Sequence, residues 1–122
     1  MAKARHWEES GVYWKFNDTV TGEEVISSNM SFYGDPIFDK MHYIIADFLD
    51  ADQFDITEEQ VEEIAALDRA AAMSNPRMKV AIVASEKHIQ QLAALYVDSS
   101  QGSQWKSKIF DNLEDARQWV LS

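Results

Sequence analysis

Asp50, Asp52 and Asp55 set three carboxylates within one short run, a spacing that can open a calcium-binding loop. Such a loop needs glycine at its sixth position and a bidentate glutamate at its twelfth. Counted from Asp50, those places hold Asp55 and Val61, so the run predicts no metal site. Asp47 and Asp50, near the end of an apolar run, suggest a second carboxylate chemistry, a magnesium-binding phosphoacceptor pocket. No Lys or Thr is spaced to complete it. His6, His42 and His88 are scattered and form no short-range ligand pair. The dispersed Gly11, Gly22, Gly34 and Gly102 make no phosphate-cradling loop, and no serine sits in a Gly-x-Ser-x-Gly elbow. There is no cysteine, which removes thiolate nucleophiles, disulfides and sulfur metal sites together. The expectation is a chain that is not an enzyme and carries no metal and no cofactor.

Two kinds of residue remain that could recognise something. The first is the exposed acidic run Asp50, Asp52, Asp55, Thr57, Glu58, Glu59 and Glu62, a candidate interface for a protein partner. The second is a pair of polar side chains inside apolar helical stripes, Asn29 and Asp68, which are pocket candidates. A buried polar group without a partner costs about 1–3 kcal/mol, and a bare carboxylate more. Asn29 is therefore expected to bond a nearby backbone group. Asp68 is expected to be bonded to a backbone N–H or to an arginine of the first strand or turn, or to border a pocket. A pocket would hold a small apolar or amphipathic ligand between helices and sheet, with Met30, Met41, Met73 and Met78 as adaptable lining. A homodimer fits either reading.

Hydrophobic periodicity supplies the elements that position these residues. Val12-Tyr13-Trp14-Lys15-Phe16 alternates like a half-buried strand, and with Arg5–Glu9 it predicts an N-terminal hairpin with Gly11 in the turn. Thr21 and Glu24 form a capping box for a helix reaching Tyr33, with Val25, Ile26, Met30 and Tyr33 on one face. Gly34-Asp35-Pro36 stops it. Tyr43–Leu49 is apolar without clean alternation, which predicts an interior strand covered on both sides. An acidic turn, Asp50–Asp55, follows. Thr57 and Gln60 cap a second helix whose stripe is Val61, Ile64, Ala65, Leu67, Ala71 and Ala72. Met78–Ala84 is a second buried strand. Ser85 then caps a helix carrying Ile89, Leu92, Ala93 and Tyr96. Trp105–Phe110 reads as an edge strand, and Asn112 opens a last helix with Leu113, Ala116, Trp119 and Val120 inward. The order β-β-α-β-α-β-α-β-α predicts a single α/β domain over 1–122, with a mixed five-stranded sheet joined by right-handed crossovers.

Charge narrows the partners. The chain of 122 residues carries a formal charge of −10, which disfavours nucleic acid and an anionic membrane surface. No run approaches the apolar length of a membrane span, and the basic N-terminus has no apolar run behind it to make a secretory signal. A cytoplasmic location is expected.

Several segments together resemble the SpoIIAA-like branch of the STAS superfamily of anti-sigma-factor antagonists. They are Gly11–Phe16 before Thr21-Gly22-Glu23-Glu24, Tyr33–Asp39, Ala66–Ala72 with Asn75-Pro76, and the Trp-containing helix after Ile109-Phe110. The resemblance spans nearly the whole chain and implies a non-enzymatic regulatory module that binds a protein. Well-known members end a strand in Asp-Leu-Ser, and a partner kinase phosphorylates their serine in an Asp-Ser pair at the next helix start. Here Asp47-Phe48-Leu49 holds the strand end and Thr57 the acceptor place. Ile56 replaces the acid before it, and Glu58 and Glu59 replace the glycine after it. Those acids would repel a phosphate, so Thr57 is read as an N-cap and no conventional phospho-switch is expected.

Overall fold

The computed structural model describes residues 3–122; Met1 and Ala2, the start of the basic N-terminus, lie outside them. The order is β1 (Lys3–Trp7), β2 (Gly11–Thr21), α1 (Gly22–Tyr33), a short 3-10 helix (Pro36–Lys40), β3 (Tyr43–Asp55), α2 (Glu58–Ala72), β4 (Lys79–Val83), α3 (Lys87–Ser99), β5 (Lys106–Phe110) and α4 (Leu113–Val120). The strands lie in the order β1-β2-β3-β4-β5. β1 runs antiparallel to β2, and β2 to β5 are parallel neighbours. This is the mixed five-stranded α/β sheet expected from the alternation of strand and helix periods.

Each crossover steps the sheet one strand in the same direction, so right-handed connections put α1, α2 and α3 on one face. Strand alternation then divides the core. Val12, Trp14 and Phe16 of β2, Ile44 and Phe48 of β3, and Val80 and Ile82 of β4 pack under the three helices. Tyr13, Tyr43, Ile45, Ala81 and Val83 point the other way and pack against Ala116 and Val120 of α4. β3 is covered on both sides, which is why its apolar run does not alternate.

Local expectations differ from the fold in four places. β1 is Lys3–Trp7, shifted from Arg5–Glu9, and Gly11 begins β2 rather than forming the turn tip. A Cβ on Gly11 would lie 2.5 Å from the Tyr43 ring, so glycine is required by close approach. The acidic segment Asp50–Asp55 is not a turn: it extends β3 and pairs in parallel with Asn17–Thr21. That ribbon has register shifts on both sides of Asp18, which takes φ 58°, a conformation aspartate tolerates better than most residues. On α1 the inward side is set by Val25, Ser28, Asn29 and Phe32, leaving Met30 51% exposed. Finally, Glu86 rather than Ser85 caps α3, its carboxylate accepting the N–H groups of His88 and Ile89.

Thr21 does accept the Glu24 N–H, and Thr57 and Gln60 form the full reciprocal capping box. Among the described residues, no helix is long and apolar enough to cross a membrane.

Candidate functional site

Three helices meet at one carboxylate. Asp68 is on the inner side of α2 and only 4% exposed. From α1, the Tyr33 hydroxyl donates to its Oδ1, and Asn29 Nδ2 makes a longer contact of 3.5 Å with the same oxygen. From α3, the Tyr96 hydroxyl donates to Oδ2 at 2.6 Å. Asp68 therefore bonds neither a backbone N–H nor an arginine, and Asn29 bonds Asp68 rather than backbone. Asn29 and Tyr33 are four residues apart on α1, so one helix face presents both to α2.

The electrostatics of this cluster are unusual. Among the described residues, no Lys, Arg or His side chain bonds Asp68. Burial pushes its carboxyl up to about 6, against the opposing pull of the Tyr33 and Tyr96 hydroxyls. The two phenols are themselves pushed up, first by burial and then by the adjacent carboxylate.

Asp68 borders a cavity of about 80 Å³ between the helices and the sheet. Its floor is Trp14 and Phe16 of β2, Ile44, Ala46 and Phe48 of β3, and Val80 and Ile82 of β4. Its roof is supplied by Val25 of α1, Val61 and Ile64 of α2, and Ile89, Leu92 and Ala93 of α3. Phe54 and Ile56 close one side, and the polar wall consists of Asn29, Asp68 and Tyr96. Local sequence explains the space. Ala46 is the one small side chain on this face of β3 between Ile44 and Phe48, so the sheet surface dips there. Val25, Asn29 and Phe54 are the lining residues left half-buried away from the floor, which places the mouth between α1 and the extended end of β3.

The acidic residues lie elsewhere. Asp50, Asp52 and Asp55 project from the β2–β3 ribbon, Thr57 caps α2, and Glu58, Glu59 and Glu62 follow on it; all seven are exposed. Lys15 pairs with Asp50 at 2.9 Å, a lysine whose approach the spacing did not reveal. Asp47 is not beside that pair's solvent edge but buried, accepting from the Tyr13 hydroxyl at 2.5 Å and from the Leu49 N–H at 2.9 Å. Among the described residues, no three His or acidic side chains converge as a metal site would require.

The opposite face of the sheet carries a second carboxylate–tyrosine cluster. Glu8 receives both ends of the Arg117 guanidinium, at 3.0 and 2.9 Å, and the Tyr43 hydroxyl at 2.5 Å. Arg117 also lies over the Tyr13 ring, 5.0 Å from its centroid. The Arg117 fork holds Glu8 below the ordinary carboxylate range.

Neither tyrosine beside Asp68 stood out in the sequence as a site residue. Tyr96 reads as one more apolar-stripe position of α3, because a phenol ring packs like a hydrophobe while its hydroxyl seeks a partner. The usable signal is collective: α1, α2 and α3 each place polar-tipped residues on largely apolar inner faces, Asn29 and Tyr33 on α1, Asp68 on α2 and Tyr96 on α3.

Against known proteins, the chain matches no family model and no curated protein sequence. It is similar to the crystal structure of an uncharacterized DUF3478-family protein with a SpoIIAA-like fold from Shewanella loihica PV-4. That similarity has a TM-score of 0.51 at 15% identity, covering 98% of this chain and 92% of that one. The chain has a SpoIIAA-like, STAS-type fold.

Proposed function

We propose that this SpoIIAA-like chain is a non-enzymatic binding protein for a small apolar or amphipathic ligand, held between its three same-side helices and the sheet. The supporting observation is the cavity of about 80 Å³, apolar on floor and roof and polar only at Asn29, Asp68 and Tyr96. Pockets of this kind fix a ligand's orientation by a few polar groups and derive affinity from the apolar remainder. Beside an apolar cavity of about 150 Å³ that admits benzene the space is small, so the occupant is a short molecule or the end of a longer one. Among the described residues, Asp68 is bonded by two phenols that are held protonated and by an amide, with no nucleophile or second titrating acid, which favours binding over catalysis.

Native mass spectrometry and thermal shift across small apolar and amphipathic compounds test this reading. At least one compound class is expected to raise the melting temperature of the wild type. Ala46→Ile, which fills the dip in the floor, should keep the circular dichroism spectrum and lose the shift. No shift with any compound, or an equal shift in the filled variant, would sink the proposal.

A second reading rests on the continuous exposure of Asp50, Asp52, Asp55, Thr57, Glu58, Glu59 and Glu62. In it the chain is a regulatory module whose acidic ribbon and helix start dock a protein partner. Two observations weigh against it as the main function. Every exposed residue from Asp50 to Glu62 is polar, whereas stable docking sites centre on apolar or aromatic residues. The Thr57 hydroxyl is also occupied as the acceptor of the Gln60 N–H. Reversing Glu58, Glu59 and Glu62 to lysine should strip partners from a native pull-down; an unchanged set of recovered proteins would end this reading.

A further inference from the structure

Resting on the ligand-binding reading, we infer that the occupant's polar end is a cation: a small primary alkylammonium whose N–H groups meet Asp68. Three features of the cavity carry this. First, the carboxylate is incompletely satisfied. Among the described residues, Oδ1 receives Tyr33 and Asn29 but Oδ2 receives only Tyr96, and a carboxylate oxygen accepts two donors. Second, among the described residues the cavity wall brings no basic side chain to balance the charge. A buried carboxylate without a cation is the costly arrangement, and an incoming ammonium removes that cost. Third, a chain of formal charge −10 concentrates cations at its surface and repels carboxylates. A fatty-acid-like anion, the default occupant of an apolar slot, would face Asp68 with like charge. A neutral alcohol could donate one hydrogen bond but bring no charge.

The groups facing Asp68 are Tyr33 of α1 and Tyr96 of α3, both held protonated, and the strand residues of the floor are apolar. The neighbouring Arg69 points away, donating to the Ser99 carbonyl. Ionisation of Asp68 alone therefore sets the pH response of binding. An alkylammonium, like a lysine side chain, stays charged throughout the range in which Asp68 titrates.

Calorimetric titration of the full chain at pH 7.5 with butylammonium, butanol and butyrate tests the inference. Butylammonium should bind about ten-fold more tightly than butanol, the difference a hydrogen bond to a charged partner commonly makes, and butyrate should not bind. Lowering the pH through about 6 should weaken butylammonium binding and leave butanol unchanged, a wild-type measurement that needs no variant. Asp68→Asn should abolish the preference for the amine while keeping butanol. If butanol or butyrate binds as well as butylammonium, the cationic assignment is overturned and the cavity reading stands. If none of the three binds, both fall.

Discussion

Two carboxylate–tyrosine clusters lie on opposite faces of one sheet, and they solve the same problem differently. Glu8, on the α4 side, accepts a tyrosine hydroxyl and a bidentate arginine. Asp68, on the other side, accepts two tyrosine hydroxyls and an amide but no cation. The tyrosines are common to both, so the difference lies in the cation and in burial, which is deeper at Asp68 than at Glu8. With Arg117 present, Glu8 is held low; without a counterpart, burial drives Asp68 up to about 6. The first cluster ties the turn between β1 and β2 to β3 and α4 and carries its own cation. The second borders a cavity, and in the proposed reading a bound ligand completes it.

The largest expected consequence is a stability profile of opposite sign for the two carboxyls. Asp68 has a raised pKa, so between the ordinary 3.8 and about 6 the folded chain holds a proton that the unfolded chain has released. Its contribution is therefore fully present below 3.8 and is lost as pH rises through about 6, a change on the order of 3 kcal/mol. Chemical denaturation of wild type and Asp68→Asn from pH 4 to 7.5 should show this slope in the wild type alone. Equal slopes would mean that Asp68 is solvated or neutralised.

Removing one hydroxyl sharpens the comparison at a smaller scale. Tyr96→Phe takes away the hydroxyl that donates to Oδ2 and should cost about 2 kcal/mol at pH 7, since the lost hydrogen bond is to a charged group. It should also raise the Asp68 pKa further, read from the carboxyl carbon shift. A lower pKa in the variant would contradict the arrangement.

The smallest effect belongs to the compensated cluster. Glu8 has a lowered pKa, so its contribution is present above the ordinary 4.5 and is lost as pH falls. Arg117→Met should cost less than about 1 kcal/mol at neutral pH, because the Arg117 side chain is 37% exposed and screened. Added salt should shrink that cost. A cost exceeding that of Tyr96→Phe would reverse the ranking of the two clusters.

Much of this was legible in the sequence where physics is local. The two N-terminal capping threonines, the alternation of β2 and the doubly covered run of β3 follow from hydrogen bonding and pleat geometry within a few residues. Asp68 was conspicuous as an acid inside an apolar stripe. Its partners were not, because Tyr33 and Tyr96 come from other helices, 35 and 28 residues away in sequence. The extension of β3 through Asp50–Asp55 was masked by composition. Aspartates disfavour strands locally, and only the pairing with Asn17–Thr21 overrides that preference. The cavity was invisible for a related reason: it arises from one alanine, Ala46, among large neighbours that three helices bring over it.

Methyl-resolved NMR of the full chain titrated with butylammonium at pH 7.5 tests the central claim most directly. Ile44 and Ile45 are adjacent in β3 but point to opposite faces, so they report separately on the two sides of the sheet. The expected result is saturable shifts at Ile44, Ile82 and Val61 with Ile45 unmoved. Absent shifts would contradict the cationic assignment, and shifts at Ile45 matching those at Ile44 would contradict a ligand site beneath the three helices.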